Sequence, residues 1–100
     1  MKASERRFGR FFLSQKLMEQ VGLEVLAARI YEGMLPTRLE YVWDRYGWEV
    51  TAWCAAFEPV PDGNLIPWYD VNLCRIFVAS FYGPEHDDYD WVRYINGVPL

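Results

Sequence analysis

Residues 83–92, GPEHDDYDWV, gather Glu85, His86, Asp87, Asp88 and Asp90 into one short stretch that holds the only histidine of the chain. Oxygen ligands of this kind suit a hard cation such as calcium, but a calcium loop spaces its carboxylates around an obligatory glycine, and that spacing is absent. The adjacent Asp87 and Asp88 offer paired carboxylates for acid–base work. Such work needs a pocket that separates the two pKa values, whereas a loop bounded by Gly83 and Pro84 is more often solvated. Cys54 or Cys74 with His86 would supply a thiol nucleophile and its base, yet apolar neighbours such as Ala55 and Phe77 describe inert thiols. There is no CxxC pair, and one histidine cannot complete a four-ligand zinc site with cysteines 20 residues apart. The inventory therefore predicts no catalytic group, no cofactor and no metal. Both cysteines are expected free and buried, with a disulfide between them as the alternative.

The other chemistry open to the stretch is recognition. Alternation from Tyr89 onward turns Tyr89 and Trp91 to one side, so that Glu85, Asp87, Asp88 and Asp90 become a charged rim beside two anchoring aromatic rings. Such a rim fits a partner protein with a basic surface.

The elements that must position these residues are legible in three parts. Residues 4–33 read as helical: Phe11, Met18, Val21, Val25 and Ala28 recur at helical spacing, with a bend or break at Gly22 and a stop at Gly33 followed by Pro36. The period then changes to two in RLEYVWDRYGWEVTAWC. Leu39, Tyr41 and Trp43 alternate with Glu40, Val42 and Asp44, and the alternation resumes with Trp48, Val50, Ala52 and Cys54 after a turn, which predicts a hairpin with Trp43 opposite Trp48, Tyr41 opposite Val50 and Leu39 opposite Ala52. That register collects the large apolar groups on one face, against Met18, Val21, Val25 and Ala28, and leaves Arg38, Glu40, Asp44, Glu49 and Thr51 on the other. Residues 58–70 carry three prolines and a glycine and are expected as a loop. VNLCRIFVASFY, residues 71–82, is apolar on both alternating faces and reads as a strand covered on both sides, with a helix capped by Asp70 in competition. Residues 89–95 read as a further strand, ended by a turn at Asn96 and Gly97.

A chain of 100 residues with 52% hydrophobic and 18% aromatic side chains buries roughly two thirds of its unfolded surface as one domain. The expected architecture is α+β, a single domain over residues 1–100. An N-terminal helix or helical pair packs on an antiparallel sheet of about four strands, helical over about 4–33 and sheet over about 37–96, with the proline-rich loop between. One sheet face is left uncovered, and Trp53 and Phe57 on it join the expected partner-binding set. The apolar run near the start spans only residues 11–13, too short for a signal peptide or membrane span, so a cytoplasmic protein is expected.

Charge is uneven. Lys2, Arg6, Arg7, Arg10 and Lys16 face only Glu5 in the first sixteen residues, whereas residues 51–100 hold seven acids against Arg75 and Arg93. RIFVASFY resembles the base-stacking strand of the RNA-recognition motif over eight residues. The motif's glycines and its repeated βαβ order are missing, and an acidic half-chain repels phosphates. As a class, small acidic chains without motifs resemble phage-encoded inhibitors of host defence such as anti-CRISPR proteins, several of which mimic nucleic acid. That likeness implies a non-enzymatic inhibitor docking on a nucleic-acid-binding complex. The alternative is an accessory or homodimeric subunit with no inhibitory role; a small enzyme and a direct RNA binder rank below both.

Overall fold

The computed structural model describes residues 6–78 and 88–99. The first element of the described residues is not a helix but a strand, β1 (Phe8–Ser14). Gly9, Phe11 and Leu13 are buried in strict alternation, a period of two that the helical spacing of Phe11 and Met18 had masked. Two short helices follow, α1 (Gln15–Val21) and α2 (Leu23–Ile30). The Ser14 hydroxyl accepts from the Leu17 amide at 3.1 Å and starts α1. Gly22, at φ 88°, breaks the pair as expected, because its backbone sits where a side chain would be strained.

The first sheet has the order β1-β3-β2, with β2 (Met34–Val42) and β3 (Gly47–Cys54) forming the expected hairpin. Its register differs by two residues: Trp48 pairs with Tyr41 and Val50 with Leu39. Trp43 is not in the ladder but begins a 3-10 turn (Trp43–Arg45), closed by Tyr46 in the left-handed region at φ 51°. A slip of two keeps every side chain on its face, so the apolar set survived the error. Across the three strands the rows Phe11–Val50–Leu39 and Leu13–Trp48–Tyr41 share one face, and Arg10–Thr51–Arg38 and Phe12–Glu49–Glu40 share the other. Thr37 is bulged out of the ladder between Pro36 and Arg38.

The second sheet has the order β4-β5-β6, with β4 (Val71–Val78), β5 (Asp88–Ile95) and β6 (Val98–Pro99). Two three-stranded antiparallel sheets thus replace the expected sheet of about four strands. Residues 71–78 are a strand, not the competing helix. Over residues 71–74, Val71 and Leu73 are buried while Asn72 and Cys74 are exposed, so this part of the strand is covered on one face and not on both; residues 79–82 of the expected strand lie outside the described residues. The expected Asn96–Gly97 turn is present, both residues at positive φ, and it leads into β6.

The core lies between the sheets. Phe11, Leu13 and Val50 from the first sheet meet Val71, Leu73 and Ile95 from the second, with Leu26 and Ile30 of α2 between them. Those two, rather than Val25 and the exposed Ala28, are the buried residues of α2; Met18 and Val21 are only partly covered. Phe57, expected on an open face, is fully buried and stacked on Tyr69 with centroids 4.4 Å apart. Arg93 of β5 donates to the carbonyl of Ile30 at 2.9 Å and to that of Glu32, so a guanidinium from the second sheet satisfies the C-terminal end of α2.

The proline-rich loop runs along the outer edge of β1. The Val60 amide donates to the Arg6 carbonyl at 2.8 Å, Arg10 donates to Pro67 at 2.9 Å and Tyr69 to Arg10 at 2.7 Å. No helix among the described residues is long and apolar enough to cross a membrane.

A Cβ added at Gly9 would lie 2.7 Å from the Tyr69 ring and 2.8 Å from that of Phe57. Gly9→Ala is expected to cost about 1–3 kcal/mol by forcing those rings apart, read as a lower midpoint in urea unfolding; an unchanged midpoint would remove Gly9 from this role.

Candidate protein-interaction surface

The hairpin and the two helices leave a groove that the core does not fill. Met18, Leu23, Leu26, Leu39 and Trp48 line a cavity of about 220 Å³, with Tyr31 at its wall. It continues, through the shared Met18 and Trp48, into a depression of about 580 Å³ bounded by Gln15, Glu19, Tyr41 and Trp43. The break at Gly22 turns Leu23 outward, where it is 70% exposed, and the 3-10 turn holds Trp43 at 78% exposure. Exposed rings usually gain freedom, but these are braced. Tyr41 meets Trp43 at 4.6 Å and Trp48 at 5.2 Å, both edge to face, and its hydroxyl donates to Gln15 at 2.8 Å.

Glu19 lines the depression, and two exposed acids follow lining residues in sequence, Asp44 after Trp43 and Glu24 after Leu23 in the first turn of α2. None of the three makes an ion pair among the described residues. Arg45, next to Asp44, turns to the opposite sheet face, over the Phe12 ring at 4.2 Å and beside Glu49 at 3.6 Å.

The residues singled out from the sequence fall elsewhere. Glu85, His86 and Asp87 lie outside the described residues, as do the side chains of Asp88 and Tyr89, whose backbones pair with Val78 and Phe77. Asp90 accepts from Arg29 at 2.8 Å, a contact between β5 and α2, and Trp91 packs partly buried against the core. Trp53 is half-buried on the sheet face away from the helices, opposite Phe8 and Leu35, and the buried Phe57 has no surface to offer. Sequence reading assigned Tyr41, Trp43 and Trp48 to the core and did not see Leu23 at all. The available signal was the shortness of the helical segment after the Gly22 break, since eight residues cannot cover so broad an aromatic face.

A second cleft, about 850 Å³, opens between α1 and the start of β4, with Lys16, Arg45, Trp68, Asp70 and Asn96 on its walls. Several of its groups are already engaged. Asp70 accepts from Asn72 at 2.7 Å, the Asn96 side chain accepts from the Asp70 amide at 2.8 Å, and Ser14 caps α1. No group of three or more His, Cys, Asp or Glu side chains among the described residues is placed to hold a metal. Comparison with protein-family models, curated proteins and solved structures returns no match for this chain.

Burial pushes the Tyr31 phenol above its ordinary pKa. For an acid this means that folding favours the neutral form. The contribution is complete below the unfolded phenol's pKa and is lost as pH rises through the folded one. In an alkaline absorbance titration, one tyrosine should ionise late, and Tyr31→Phe should remove that phase; a titration unchanged by the substitution would contradict the assignment. The thiols divide as well. Cys74 is exposed, correcting the expectation that both are core, while Cys54 is buried. Native alkylation should modify Cys74 promptly and Cys54 only after denaturation, and recovery of a Cys54–Cys74 cross-link would refute this.

Proposed function

We propose that this chain is a non-enzymatic interaction protein that docks on a partner protein with a basic surface, through the groove between the hairpin β2–β3 and the helices. Trp43 carries this reading, as a large side chain that is exposed yet held in one orientation by Tyr41. A preorganised ring loses little conformational freedom on binding, and aromatic anchors of this kind supply most of the energy of protein interfaces. The unpaired Glu19, Glu24 and Asp44 favour a cationic partner and speed its approach.

Among the described residues Glu40, Glu49, Asp62 and Asp90 are each paired with an arginine, so the support for docking comes from the aromatic groove; an inhibitor of host defence acting by nucleic-acid mimicry remains a separate proposal, resting on the acidic stretch outside the described residues.

Affinity capture from the source cell with the parent chain and with Trp43→Ala tests the reading. The substitution should leave the unfolding midpoint within error and weaken binding of the captured, purified partner by about 2 kcal/mol, and salt should slow association of the parent. Equal binding by the parent, Trp43→Ala and Leu23→Ser would discard the groove as the docking site.

A further inference from the structure

The two outer edges of the first sheet are treated differently. That of β1 is covered by the proline-rich loop, through the bonds of Arg6, Arg10 and Tyr69 to residues 60 and 67 and the bridge between Arg10 and Trp68. That of β2 pairs with nothing among the described residues, although β2 is nine residues long and leaves Leu39 55% exposed. A long open edge is a template for another strand.

We propose that the edge of β2 binds the β2 edge of a second copy, antiparallel about a two-fold axis at Leu39, to give a continuous six-stranded sheet. The occupant follows from the charge order Arg38-Leu39-Glu40. A two-fold axis normal to the sheet keeps each face continuous, so the opposed residues must sum to an even number. Centring on Arg38 sets arginine against arginine, and centring on Glu40 sets glutamate against glutamate. Centring on Leu39 sets Arg38 against the second copy's Glu40 twice, with the two Leu39 side chains facing each other. Arg38 and Glu40 already lie 3.2 Å apart along the strand, both well exposed, so pairing adds partners without breaking a buried contact. Of the other outer strands among the described residues, β6 is only two residues long, and β4 is VNLCRIFV. It contains no acid to meet Arg75, so no register makes its charges self-complementary.

Pro36, which lacks an amide hydrogen, and the bulge at Thr37 end the regular ladder on one side. The new ladder is therefore short, and association is reversible and concentration-dependent. This inference goes beyond partner docking at the groove and stands whether or not that reading holds.

Sedimentation equilibrium across concentrations up to millimolar tests it. The mass should rise from the 11.8 kDa monomer toward twice that value. Arg38→Glu alone or Glu40→Arg alone should weaken self-association about tenfold or more, since each sets like charges opposite, while an equimolar mixture of the two variants should associate as the parent does. Circular dichroism establishes that both variants fold. Leu39→Cys in a Cys74→Ser background should give a covalent dimer on mild oxidation. A parent chain monomeric throughout, charge variants that associate like the parent, or a mixture that fails to recover would each overturn the proposal.

Discussion

The approach of two aromatic rings to Gly9 is the contact on which the arrangement of the two sheets depends. Phe57 and Tyr69 stack at 23° to each other over a strand position that has no side chain. The stack closes the intervening loop on itself, since the Glu58 amide donates to the Tyr69 hydroxyl at 2.9 Å and Arg7 donates to the Phe57 carbonyl at 2.8 Å. With Tyr69 fixed against β1, the chain must enter β4 beside the first sheet. A methyl group at position 9 would act on the placement of everything downstream.

Two arginines then tie the second sheet to α2 with unequal force. Arg93 reaches backbone carbonyls that the helix end leaves without partners, and a charged donor on such groups stabilises by roughly 1.5–3 kcal/mol. Arg29 and Asp90 form an ion pair whose side chains remain 40% and 46% exposed, which solvent screens to about 0–1 kcal/mol. Asp90, one of the four carboxylates read from sequence as a docking rim, is thus a minor brace.

How much was legible follows from where each signal resides. The hairpin, the break at Gly22 and the Asn96–Gly97 turn were readable because alternation and backbone conformation are local properties. The strand β1 was not, because Phe11 is helically spaced from Met18 as well as alternating with Leu13, and the choice is made by β3, some forty residues on. The register of the hairpin depended on whether Trp43 belonged to strand or turn, which the sequence DRYG leaves open until Tyr46 adopts its left-handed conformation. Of the candidate site, the residue types were foreseen but their roles were exchanged. Trp43 came out of the core and Phe57 went into it, because burial is decided by what packs above a residue.

The distance along the chain between β1 and its partner also bears on synthesis. Phe11 and Leu13 leave the ribosome long before Trp48 and Val50, against which they are buried, while β2 and β3 can zip as soon as their turn emerges. Both neighbours of the central strand precede it along the chain, β2 across a tight turn and β1 across the helices and the hairpin, and closing the non-local pair carries most of the loop entropy of folding. During that interval the amphipathic N-terminal segment is an exposed apolar strand of the kind that chaperones recognise, with Arg6, Arg7 and Arg10 as the charges that keep it in solution.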